Sequence, residues 1–244
     1  DLDRGRIFLV TVPGHQYRCP EFDFSTASGA AAALLNPNQD VRYLAWTALR
    51  DMGRRAEPAL REVYKSANPR HRARALWLLG QIKGRRARYV SKALQDKQPE
   101  IRALAVRLAR QLKLNMPELL KSVVHDRSPQ VRRECAIALR DESSEKVAGL
   151  WAELALLHDG QDRWYLEALG IGADQHWESC FREWLARVGD QWNSPAGRDI
   201  VWRSRASGAL PLLAEIVNTP GESSHRKMRY MRSFDFHEGP EREA

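Results

Sequence analysis

The chain has 244 residues, a formal net charge of +8, 43% hydrophobic and 29% charged residues. That balance excludes a disordered polyelectrolyte and allows a sizeable core, and no apolar run approaches the ~18–20 residues that a membrane span needs. Three scattered cysteines, Cys19, Cys135 and Cys180, exclude a disulfide framework. In chain order, residues 6–12 (RIFLVTV) have the length and composition of a strand, flanked by Gly5 and Pro13-Gly14. Residues 15–24 are predicted as a polar linker. Helices begin at Ser25-Thr26, whose hydroxyls can cap the run GAAAALL. Asn36 and Pro37 break the chain before a helix over 41–49, with apolar positions 41, 44, 45, 48 and 49. Further helices are predicted over 58–65 and 73–82, 87–94 and 101–112, 117–124 and 131–139. Beyond Asp141 the pattern predicts 146–157, then 163–169 ended by Gly170 and Gly172. An aromatic-rich helix over 177–185, a loop over 189–197, a short helix at 200–202, and a last pair over 206–217 and 226–232 complete six to seven pairs.

One stretch repeats itself. DKQPEIRALAVRLARQLKLN, from Asp96, is followed about thirty residues on by DRSPQVRRECAIALRDES, from Asp126. Each copy is an acid, a short proline turn, an aliphatic, an arginine and an amphipathic helix. A period of this size marks a solenoid, in which each helix pair buries the apolar stripe its neighbour cannot hide alone. Arg42, Arg74, Arg102 and Arg132 recur at intervals of 32, 28 and 30, with Arg163 as a weaker fifth after 31. Six residues before the first four stand Asn36, Asn68, Asp96 and Asp126, which can bond free N–H groups at a turn.

The turn word Asp-x-x-Pro-x-(Val/Ile)-Arg opening a helix resembles the HEAT-like repeat family. It implies an all-α, right-handed α-α superhelix with a short extended segment before it. The longer words DRGRIFLVTVPG, FDFSTASGAAAALLNPNQDVRYLAWTALRDMG, GRDIVWRSR and RYMRSFDF are similar to a more specific family. These are the membrane-bound dehydrogenase-like proteins of planctomycetes and verrucomicrobia, built from a β-propeller, HEAT repeats and a c-type cytochrome domain. The resemblance implies that residues 1–24 are the end of an upstream propeller plus linker. Residues 25–244 are then a solenoid truncated at its C-terminal end, within a longer exported, periplasmic protein. It carries over no catalytic, cofactor-binding or metal-binding residue, because the propeller site and a Cys-x-x-Cys-His haem attachment are both missing from these words.

The arginines have two readings. Arg42, Arg74, Arg102, Arg132 and Arg163 either hold turns together by bonding carbonyls and acids of neighbouring units, or form a row that grips an acidic or phosphate-bearing partner. The first is preferred, because the acidic companion repeats with them. Between Arg54 and Lys92, twelve Lys or Arg face only Glu57 and Glu62. Arg70, Arg72, Arg85, Arg86 and Arg88 are the candidate basic patch, or else a solvated helix face. Most tryptophans fall on apolar helical positions and are expected in the core, with Trp164 and Trp192 the least certain. His225 and His237 near Asp235 lack metal-ligand spacing, and no Gly-x-Ser-x-Gly frames a nucleophile. The function expected is a non-enzymatic interaction or spacer module that presents a concave helical surface to neighbouring domains or another protein. The alternative is a nucleic-acid-binding protein resembling alkylpurine DNA glycosylases, for which Arg74, Arg85, Arg86 and Arg88 would converge beside a buried carboxylate.

Overall fold

The computed structural model describes residues 20–143, 145–221 and 223–237, together with Val10 and residues 12–14. Among them there is no strand. The strand predicted over 6–12 lies outside the described residues but for Val10 and Val12, which belong to no regular element.

Seven helix pairs follow one another. They are α1 (Ala27–Ala33) with α2 (Gln39–Met52), α3 (Glu57–Tyr64) with α4 (Pro69–Leu79), and α5 (Arg86–Leu94) with α6 (Pro99–Gln111). Next come the short α7 (Met116–Leu120) with α8 (Pro129–Ala138), and α9 (Lys146–Leu156) with α10 (Arg163–Gly172). The last are α11 (Trp177–Val188) with α12 (Pro195–Arg203), and α13 (Leu210–Asn218) with α14 (Ser224–Phe234). The second helices touch in unbroken succession from α2 to α14. First helices touch their own kind from α1 to α3 and from α7 through α9 to α11. This is an all-α helical repeat with a layer of first helices and a layer of second helices, and one apolar core runs through it from Ala30 to Tyr230.

Second helices start where backbone chemistry allows. Pro69, Pro99 and Pro129 take the first turn of α4, α6 and α8, where a missing N–H costs nothing. These helices therefore begin two to four residues earlier than the apolar pattern predicts. Asn38 and Asn68 cap α2 and α4 by accepting from the N–H groups of Asp40 and Arg70, at 2.8 and 2.9 Å. One residue pair corrects the prediction more sharply. Gly170 and Gly172 do not end α10 early; both lie within it. They are small because neighbours come close: the Arg203 guanidinium lies over Gly170, and the Ala136 carbonyl of α8 lies against Gly172. Residues 189–197 are not an open loop either, since a 3-10 turn at Gly189–Asn193 leads directly into α12.

The linker is less polar in structure than in sequence. Phe22 and Phe24 pack against the core with ring centroids 6.1 Å apart. Asp23 accepts from the Ser25 and Thr26 hydroxyls and so fastens the start of α1.

Candidate functional site

The N-cap positions of α2, α4, α6 and α8 are Asn38, Asn68, Gln98 and Ser128, spaced by thirty residues each time. Two residues before each, Asn36, Ser66, Asp96 and Asp126 accept from the N-cap N–H at 2.8, 3.2, 2.9 and 2.8 Å. Four residues after each N-cap come Arg42, Arg72, Arg102 and Arg132. This register differs from the sequence reading at two places. Ser66 rather than Asn68 is the turn acceptor in the second unit, and Arg72 rather than Arg74 is the equivalent arginine. Arg163 is outside the register: it follows the N-cap Asp162 directly, its side chain is 83% exposed, and it lies 3.8 Å from Glu167. Leu166 holds the equivalent place.

The equivalent arginines tie turns together. Arg102 donates from Nη1 to the Asp96 and Lys97 carbonyls (2.8 and 3.2 Å), and from Nε and Nη2 to the Asp126 carboxylate (2.6 and 2.7 Å). Arg72 also grips Asp96 with two nitrogens, but end-on, from Nη1 and Nη2 at 2.7 and 3.1 Å, with its Nε buried and without a partner. Each such bond spans 24 residues into the next unit. Burial pushes the Asp126 carboxyl up, but the Arg102 bonds, the Ser128 N–H and the Arg102 charge outweigh it and hold its pKa below the ordinary carboxylate value. Arg132 repeats the inner bond, to the Asp126 carbonyl at 2.8 Å, but then meets Tyr165: its Nε donates to the phenol oxygen at 3.3 Å and its guanidinium lies 5.2 Å from the ring centroid.

Arg42 donates from Nη1 to the Asn36 and Pro37 carbonyls at 3.0 and 2.5 Å. Arg74 reaches back from α4 to the Leu34 carbonyl at 3.0 Å. Both line an open groove of about 440 Å³ on the second helices of the first two units, with Leu34, Tyr43, Trp46 and Trp77. Tyr43 is 65% exposed, and Trp46 carries the Arg50 guanidinium 4.9 Å from its ring centroid. Arg74 has its pKa lowered by burial and by the neighbouring Arg42 and Arg70 charges. Neither Arg42 nor Arg74 forms an ion pair among the described residues. Sequence reasoning named both arginines as turn residues but did not place them beside Tyr43, Trp46 and Trp77.

The basic patch does not assemble. Arg70 and Arg72 lie in the first turn of α4, whereas Arg85, Arg86 and Arg88 come after its end, at the start of α5. The seven to nine residues of α4 beyond them rise roughly 10–14 Å before the second group begins. Arg74 stands midway along α4 and is turned to the Leu34 carbonyl. Glu57 is the carboxylate beside the second group; it accepts from the Tyr89 hydroxyl at 2.6 Å and lies 4.0 Å from Arg85.

Other candidates fall into the scaffold. Trp151, Trp177 and Trp184 are buried; Trp46, Trp77, Trp192 and Trp202 are partly buried against the core; Trp164 is 70% exposed. Trp151 donates to the Leu169 carbonyl at 2.8 Å and meets Trp177 edge-on. Burial raises the thiol pKa of Cys135, and pushes that of Cys180 up to about 12, so both are apolar packing groups. His225 lies at the start of α14 and His237 beyond its end, so they do not converge, and no group of three metal-ligating side chains occurs among the described residues. No helix of the described residues is long and apolar enough to cross a membrane.

These features define a class: an all-α helical repeat whose neighbouring turns are joined by arginine–carboxylate forks. The family model described as HEAT repeats matches residues 28–90, which takes in the first two units and the groove between them. HEAT repeats generally mediate protein–protein interaction. No curated protein matches the chain.

Proposed function

We propose that this array is a non-catalytic docking and spacer module, and that the second-helix face of its first two units holds a neighbouring domain or a partner protein. The groove carries the reading. Aromatic surface at Tyr43, Trp46 and Trp77 beside two guanidiniums without ion pairs is the residue mix enriched in interface centres. Elsewhere the large aromatics are mostly packed, Arg72 and Arg102 are neutralised by acids within the chain, and Arg132 is held by the Asp126 carbonyl and Tyr165. In this proposal the parent is an exported redox protein of the dehydrogenase-like kind, with the array as spacer between its redox modules; the words from Asp1 to Gly14 and from Arg229 to Phe236 support it. The array itself then needs no cofactor.

A photo-cross-linking amino acid at position 43, compared with one at the exposed Arg61 on the first-helix side, tests the reading in the native cell. Cross-links to defined protein segments are expected from position 43 and not from position 61. No cross-links from 43, or equal numbers from both, would remove the docking face.

A further inference from the structure

The ladder shows what its first rung lacks. Arg102 uses one edge of its guanidinium for its own turn, through Nη1, and the other edge, Nε and Nη2, for the Asp126 carboxylate. Arg42 makes the same inner bonds through Nη1, to carbonyls six and five residues upstream. Its outer edge is different. The residue 24 positions on, which is Asp96 for Arg72 and Asp126 for Arg102, is Ser66 for Arg42, and no carboxylate replaces it. Nε and Nη2 of Arg42 have no hydrogen-bond partner among the described residues, and neither is among the buried atoms left without one. They are thus not sealed off, in a residue that lines the groove, with the orientation of the guanidinium already fixed by its turn bonds. Arg74 adds a second cation, tied at one nitrogen to the Leu34 carbonyl.

We propose that this open rung is a carboxylate site: an Asp or Glu side chain of an acidic partner segment docks on Nε and Nη2 of Arg42, as Asp126 docks on Arg102. An apolar side chain next to that acid lies against Tyr43, Trp46 and Trp77. This assignment rests on the docking reading above and names its chemistry. A forked guanidinium suits a planar carboxylate, and an already oriented one loses little freedom on binding. A polyanion such as duplex DNA needs cations in a row. Here the cations are a short cluster of Arg42, Arg74 and the neighbouring Arg70, and it extends no further along the ladder, since Arg72 and Arg102 are already neutralised by Asp96 and Asp126.

The test uses two decapeptides capped at both ends and labelled with rhodamine, one alternating Glu and Leu, the other alternating Gln and Leu. Fluorescence anisotropy at low ionic strength reads binding to the 244-residue chain. The Glu peptide is expected to bind about tenfold more tightly or better, the scale of one charge-assisted pair. Ser66→Asp closes the rung from within, and should bring the Glu peptide down to the level of the Gln peptide. Ser66→Asn keeps the turn bond without the charge and should leave binding unchanged. Arg42→Gln should match Ser66→Asp; if it fails to fold, the Ser66 variants still decide. Equal binding of both peptides overturns the carboxylate assignment and leaves the docking face standing. Binding of neither overturns the assignment too, while the fate of the face then follows the cross-linking at position 43. Undiminished binding by Ser66→Asp, or tighter binding of duplex DNA than of the Glu peptide, also overturns it.

Discussion

Asp126→Ala is the sharpest probe of how this array coheres. The Arg102 and Asp126 side chains are each only 8% exposed. Truncating the acid leaves a buried guanidinium bonded to two carbonyls but no longer neutralised, and also strips the Ser128 N–H of its acceptor. Breaking a buried pair from one side costs ~3–5 kcal/mol, because the remaining charge cannot regain its water. Asp126→Asn keeps an oxygen for the Ser128 N–H and for one guanidinium nitrogen, so its loss should be ~1.5–3 kcal/mol. The double variant Arg102→Met with Asp126→Leu should be more stable than Asp126→Ala, since it leaves no orphaned charge. Urea denaturation followed by far-ultraviolet circular dichroism measures all three. Asp174→Ala, at an Arg140–Asp174 pair whose side chains are 49% and 54% exposed, serves as the control and should cost under ~0.5 kcal/mol. The pH dependence has a definite sign. The folded pKa of Asp126 lies below the unfolded one, so its contribution is present above the unfolded value of ~3.9 and is lost as pH falls through the folded value. The deficit of Asp126→Asn against the native chain should therefore shrink below about pH 4. An Asp126→Ala loss below ~1 kcal/mol, or a deficit that grows on acidification, would refute the reasoning.

Four more substitutions separate packing from surface. Gly172→Ala, which improves helix propensity in a free helix, should here destabilise by ~1–3 kcal/mol, because a Cβ would overlap the Ala136 carbonyl of α8; thermal melting checks it. Trp151→Phe should lose ~2–4 kcal/mol in urea, from the smaller ring in a fully buried site and the Leu169 carbonyl left without its donor. Arg163→Ala should shift stability by less than ~0.5 kcal/mol, while Arg72→Ala, which strands the largely buried Asp96, should cost several times more in the same assay.

The architecture was legible because its physics is local. A thirty-residue period, amphipathic helices and proline-marked helix starts are written in consecutive residues, and seven helix pairs follow from them. The register was harder. In three units the helix opens with an aliphatic followed by arginine, as Val41-Arg42, Ile101-Arg102 and Val131-Arg132. In the second unit His71 stands in the aliphatic place, where its ring approaches the Ser66 hydroxyl at 3.4 Å. The neighbouring Ala73-Arg74 imitates the word two residues late, and only the fixed offset from Asn68-Pro69 exposes the error. In the fifth unit Tyr165-Leu166 stands in its place, so Arg163 answers the spacing without the role. The groove was illegible for another reason. It joins α2 and α4, and no pattern within either helix states that Trp46 and Trp77 border one space with Arg42 and Arg74. Likewise, glycines that permit close helix contact look the same in sequence as glycines that stop a helix.

The bond from Arg74 to the Leu34 carbonyl crosses from the second unit to the end of α1 in the first, at the rim of the groove. Anything seated there rests on a joint, and pins the angle between two rods. Stacked helices lie about 10 Å apart, so seven units extend roughly 60 Å from that joint. A tilt of about 5° at the groove would swing the far end by about 5 Å. An occupant too small to touch more than two units can thus steer whatever is attached to the last.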